Sequence, residues 1–220
     1  MKPNSGNLRF MHINKTAGTS VRWWFTKHMN LALRPSKNWD THSAHVILEN
    51  FSDPTFFYFT IVRNPYDRFA SHFFQWKKLG YWKRDLFDNH LSNFDMVNEY
   101  INLLSFMDME NMIESVHFRH VQIEFVKPCS YWIKDWDRFK IFKTEELDKL
   151  VKFFEDNWDE PVYTGKNKET LLPKPWPKVG RAHDTVTKQL PSYKHLYNNK
   201  SLKIIQEICH DDFENFGYER

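Results

Sequence analysis

Leu8-Arg9-Phe10-Met11-His12-Ile13-Asn14-Lys15-Thr16-Ala17-Gly18-Thr19-Ser20 is the stretch that decides how this chain folds. Leu8 to Ile13 is apolar enough for an inner strand. Val21, Trp24, Phe25 and then His28 or Met29 recur at helical spacing, which lays one apolar helix face on a sheet. Between the two, Lys15 to Ser20 bring together a cation, several hydroxyls and a glycine. Backbone N–H groups of such a turn, with the free N–H groups of the helix start, form a concave anion site. Lys15 adds a full positive charge, and Thr16, Thr19 and Ser20 add hydroxyl donors. The expected guest carries phosphate-like oxygens.

Two common nucleotide patterns do not fit. The G-x-x-x-x-G-K-[ST] loop of ATP-binding proteins places its lysine after the last glycine, whereas Lys15 precedes Gly18. The dinucleotide pattern G-x-G-x-x-G is absent. An ordinary strand–turn–helix corner is the bland alternative.

The remaining properties set the frame. A chain of 220 residues, 41% hydrophobic and 17% aromatic, is long and apolar enough to bury a core as a single domain, residues 1–220. A net charge of +3 suits an anionic cofactor or acceptor but is too weak to argue for nucleic acid. Cys129 and Cys209 form no CxxC pair and no metal pattern, and are expected as free thiols, with one disulfide left open. No apolar run approaches the roughly 20 residues of a membrane span. Met1 to Asn7 is polar and unlike a signal peptide. The expectation is a soluble cytoplasmic protein, or a Golgi-lumenal domain if the chain is a piece of a longer one.

Farther along, Phe56 to Val62 is an apolar, β-favouring run bounded by Pro54 and Pro65, which predicts a second inner strand. Arg63 closes it. Asn64 fits the N-cap of the next helix, Pro65 its first position, and Asp67 the acidic place of a capping box. That helix runs through Phe69, Phe73 and Trp76, and Ser71 falls near its second turn. A guanidinium fork and a hydroxyl are thereby expected to converge on a second phosphate. Residues 80–115 are expected to be helical and partly exposed, with Phe94, Val97, Ile101 and Leu104 as a core stripe. Phe139 to Phe142 predicts a third strand, Thr144-Glu145-Glu146-Leu147 a capped helix through Phe154, and Ser192 to Phe216 a final helix. Pro161 to Pro191 is expected as a basic loop.

Taken together, these segments resemble the PAPS-dependent sulfotransferases, which use 3′-phosphoadenosine-5′-phosphosulfate. The match is to their carbohydrate, Golgi-type (family 2-like) branch. Residues 12–20 are similar to its phosphosulfate loop "H-I-P-K-T-A-G-T-S", with Asn14 in place of proline. Ile61-Val62-Arg63-Asn64-Pro65-Tyr66-Asp67-Arg68-Phe69-Ala70-Ser71 is similar to the 3′-phosphate motif "V-R-N-P-Y-D-R-x-x-S". His117-Phe118-Arg119-His120-Val121-Gln122 and Asp212-Phe213-Glu214-Asn215-Phe216-Gly217-Tyr218 are looser echoes of "H-x-R-P-Q" and "D-F-x-x-F-G-Y".

The resemblance implies an α/β fold with a mainly parallel central sheet flanked by helices, and a P-loop-like strand–loop–helix for the phosphosulfate. It implies cofactor contacts from Lys15, Thr16, Ala17, Gly18, Thr19, Ser20, Arg63 and Ser71, and no required metal. It also implies transfer of the sulfuryl group to a hydroxyl, with an amine left open, of a small-molecule acceptor expected to be a carbohydrate. Lys15 is the candidate for charge stabilisation at the leaving oxygen. A histidine suits the general base because its pKa lies near neutrality. His42 is favoured, with His45 as the alternative, whereas His12, on the strand, is expected in the core. The competing readings are a P-loop-like ATP-dependent kinase and a non-catalytic nucleotide- or glycan-binding module.

Overall fold

The computed structural model describes residues 2–29, 53–79, 93–106, 127–133, 136–159 and 193–220. In chain order the main elements begin with β1 (Leu8–Met11), α1 (Gly18–His28), β2 (Phe57–Val62), α2 (Pro65–Leu79) and α3 (Asn93–Phe106). There follow the single-turn α4 (Cys129–Trp132), β3 (Phe139–Lys143), α5 (Leu147–Asn157), α6 (Asn199–Ile208) and α7 (His210–Phe216). The chain forms two compact units, Met1–Arg63 with Trp132–Val179, and Asn64–Tyr131 with Gly180–Arg220.

The three apolar runs form the predicted strands, and the first unit is built on their parallel sheet, in the order β1-β2-β3. Leu8 lies opposite Phe57 and Met11 opposite Thr60, while Tyr58 to Val62 pair with Phe139 to Lys143. β2 is buried on both faces, as its unbroken apolar run requires of a central parallel strand. Val21, Trp24 and Phe25 of α1 and Leu147, Leu150, Val151 and Phe154 of α5 pack with Leu8, Phe59, Ile61 and Phe142 of the sheet. Aromatic rings dominate this core. Phe59 stacks on Phe10 at 4.7 Å, and Phe154 meets Phe25 edge-on at 4.8 Å. The predicted cap on α5 is not formed. A 3-10 turn spans Thr144–Glu146, and the Thr144 hydroxyl donates instead to the Val62 carbonyl at 3.1 Å.

The second unit is helical. Asn64 caps α2 as expected, accepting the Tyr66 N–H at 3.0 Å, with Pro65 at the first helical position. Its core gathers Tyr66, Phe69 and Phe73 of α2, Met96, Val97 and Ile101 of α3, Ile204 and Ile205 of α6, and Phe213 of α7. Phe94, expected in the α3 stripe, is 42% exposed, and Met96 is buried in its stead. Nor is the last segment one helix. Tyr193–Leu196 is a 3-10 turn, Asn198 caps α6 by accepting the Ser201 N–H at 2.9 Å, and the chain breaks again at Cys209. The break lets α7 begin with Asp212 buried, and its carboxylate accepts the N–H groups of Cys129 and Ser130 at 2.7 and 2.6 Å. Arg68 is also buried here and donates to the Lys127 carbonyl at 2.7 Å. Both cysteines are buried, and neither is in a disulfide.

Candidate active site

The anion turn lies at the C-terminal end of the sheet, between β1 and α1. Lys15 and Ala17, not Gly18, adopt left-handed backbone, at φ 66° and 64°. Turns that alternate in this way gather successive N–H groups into an anion-binding concavity. Ala17 is the N-cap residue of α1 and contributes no side-chain cap, so the first-turn N–H groups of an 11-residue helix depend on other acceptors. Its carbonyl takes the first helical bond, from Val21 N–H at 3.1 Å. Gly18 is needed for space. A Cβ at this position would overlap the imidazole of His12, which lies beneath the turn.

Of the hydroxyls expected here, that of Thr16 is fully buried and donates to the Ile13 carbonyl at 2.7 Å. It closes the turn, so its donor faces the protein. Thr19 and Ser20 follow Gly18 in the first turn of α1.

Electrostatics set the site apart from an ordinary corner. Burial, and then the neighbouring Arg63 guanidinium, lower the Lys15 pKa from its ordinary 10.5 to about 8. Burial, followed by the charges of Arg22 and Lys15, lowers His12 to about 4, so its ring is neutral under physiological conditions. His12 is thus a packed support, stacked against Phe10 at 5.7 Å, as its place on the strand predicted. The charge of Arg63 acts on Lys15, and the charges of Arg22 and Lys15 act on His12, all at this one turn.

Arg63 leaves the end of β2 and donates through Nη1 to the Lys15 carbonyl at 3.3 Å. A sequence model described as "Sulfotransferase family" matches residues 2–219. The chain belongs to the sulfotransferase family. No curated protein and no solved structure gives a significant individual match. Sulfuryl transfer is accordingly the chemistry of this sulfotransferase, on an α/β fold of the expected kind.

Lys15 and Arg63 of this sulfotransferase meet in the first unit, at adjacent strand ends. Ser71 lies on α2 of the second unit and is buried. His42 and His45 lie outside the described residues, as do His117 to Gln122 and the expected basic loop. Among the described residues, no group of three or more His, Cys, Asp or Glu is placed to hold a metal ion. Among the described residues, no helix is long and apolar enough to cross a membrane.

Two contributions near the turn were not singled out in the sequence. Thr60 donates from β2 to the Met11 carbonyl at 2.8 Å, and the charge of Arg22 in α1 acts on His12. A hydroxyl inside the otherwise apolar Phe57–Val62 was the one available hint for Thr60.

Proposed function

We propose that this sulfotransferase moves the sulfuryl group of PAPS to a hydroxyl of a carbohydrate acceptor. The supporting observation is the Lys15 turn: left-handed backbone at a helix N-terminus, with a half-buried lysine whose charge is disfavoured by burial and by Arg63. The residues fit a nucleotide with a 5′-phosphosulfate, because a multiply charged anion there relieves both penalties at once.

PAPS supplies an activated sulfur whose leaving group is already a stable phosphate. The acceptor oxygen attacks sulfur in line, the bond from sulfur to the bridging oxygen breaks, and the electron pair leaves on the 5′-phosphate. Lys15, an ammonium below about pH 8, is assigned to the charge that develops on the bridging oxygen. The N–H groups of Thr16, Ala17, Gly18, Thr19 and Ser20 are assigned to the 5′ end. The Arg63 guanidinium is assigned to the 3′-phosphate, and Ser71 to the same group on the strength of its sequence motif alone. The acceptor proton passes to a base, assigned to His42 with His45 as the alternative, again from sequence.

The test is thermal and then chemical. Adenosine 3′,5′-bisphosphate is expected to raise the melting temperature more than AMP does at equal concentration. Radiolabelled PAPS is then offered with a panel of hydroxyl-bearing sugars, and label transfer identifies the acceptor. No shift with the bisphosphate, or turnover that needs ATP and Mg²⁺, refutes the proposal.

A further inference from the structure

Two non-glycine residues in left-handed backbone, Lys15 and Ala17, make a strained turn that persists only where surrounding contacts over-determine it. Two of those contacts are local: Thr16 hydroxyl to Ile13 carbonyl, and Val21 N–H to Ala17 carbonyl. The third crosses 48 positions of sequence, from Arg63 Nη1 to the carbonyl of Lys15 itself. Arg63 departs from a firmly held point, because the preceding carbonyl, Val62, accepts the Thr144 hydroxyl, and Thr60 in the same strand grips Met11.

We propose that Arg63 is a positioning residue for the 5′ end of the nucleotide: its guanidinium holds the Lys15 carbonyl, and through it the left-handed turn, in the conformation that receives the phosphosulfate. This role rests on the PAPS assignment and comes in addition to the contact assigned at the 3′-phosphate. A guanidinium has five N–H donors in a fixed fork, so one bond to Lys15 leaves others for a phosphate. One side chain at the end of β2 then serves both ends of the nucleotide. Contact with the 3′-phosphate steadies the same guanidinium that shapes the 5′ loop, and the two ends of the ligand bind cooperatively. The neighbouring charge of Arg63 is also one of the two causes that depress Lys15.

Adenosine 5′-phosphosulfate carries the 5′ group without a 3′-phosphate, and it separates the two roles. It and adenosine 3′,5′-bisphosphate are titrated by calorimetry into the wild type, Arg63→Gln and Arg63→Lys, from pH 7 to 10. Arg63→Gln is expected to weaken adenosine 5′-phosphosulfate by about tenfold or more, the usual size of a lost charge-assisted hydrogen bond. The pH above which that ligand's affinity falls, about 8 in the wild type, is expected to move upward once the neighbouring cation is gone. Unchanged affinity for adenosine 5′-phosphosulfate and an unmoved pH profile, with only the bisphosphate weakened, overturn the inference and leave the PAPS assignment standing. A wild type that binds neither ligand overturns both. If Arg63→Gln shows no cooperative melt, Arg63→Lys takes its place: it keeps the charge without the fork, and undiminished affinity for adenosine 5′-phosphosulfate overturns the inference equally.

Discussion

Replacing Lys15 by methionine should make the unliganded protein more stable while abolishing nucleotide binding. The Lys15 pKa falls from 10.5 to about 8 on folding, which corresponds to about 3 kcal/mol borne by the folded state whenever the ammonium is charged. Partial exposure of the side chain trims this to about 2 kcal/mol. Methionine keeps the length and the left-handed backbone requirement of position 15, so the strain of the turn is unchanged and only the charge is removed. At pH 7 without ligand, Lys15→Met is expected to melt about 4–8 °C above the wild type.

The pH dependence gives an independent check. Because the folded-state pKa is depressed, the unfolded chain binds more protons between pH 8 and 10.5, and wild-type stability climbs with pH across that window. Lys15→Met should lack this rise. With adenosine 3′,5′-bisphosphate the order reverses: the wild type gains stability with ligand concentration and the variant gains little. Urea titrations at pH 7 and pH 10, with and without ligand, measure all four states. A variant less stable than the wild type in the absence of ligand refutes the argument, because Lys15 would then be a structural cation and not one held for an incoming anion.

Other perturbations probe the same framework. Gly18→Ala at a helix start ordinarily gains up to about 1 kcal/mol, but here the added methyl meets the His12 ring and is expected to cost about 2 kcal/mol in urea unfolding. His12 is held neutral with a folded-state pKa of about 4, so the wild type should lose about 2–3 kcal/mol as pH falls from 6.5 to 4. His12→Gln is expected to flatten that acid limb; an unaltered limb would mean the imidazole is not buried neutral. Asp212→Asn leaves one of the two N–H groups at the start of α4 facing an amide donor, and a loss of about 2 kcal/mol is expected by chemical denaturation.

Much of the framework was legible in the chain because the signals are local. Apolar runs bounded by prolines marked β2, and the Asn64-Pro65 pair marked the start of α2, since cap and first turn need only neighbouring residues. The anion turn was legible too, as a cation among hydroxyls and a glycine before a helix. How its parts are used was not legible. The residue types suggested that Thr16 would offer its hydroxyl to the anion. In the fold, the unusual backbone belongs to Lys15 and Ala17, Gly18 makes room for His12, and the Thr16 hydroxyl turns inward to Ile13.

The misjudged helices failed for the same reason. The Thr144 hydroxyl, expected at a helix cap, donates to the Val62 carbonyl, 82 positions away, which the pairing of β2 and β3 brings beside it. The last helix breaks at Cys209, where Asp212 takes up the free N–H groups of Cys129 and Ser130. Sequence by itself determined the strands, the start of α2 and the cation of the turn, each encoded within a few neighbouring residues, while the parallel α/β class rested on the family resemblance. Only the tertiary structure decided which hydroxyls and charges face each other. A polar group settles on whichever acceptor folding brings into a dry place, and chain proximity does not reveal that choice.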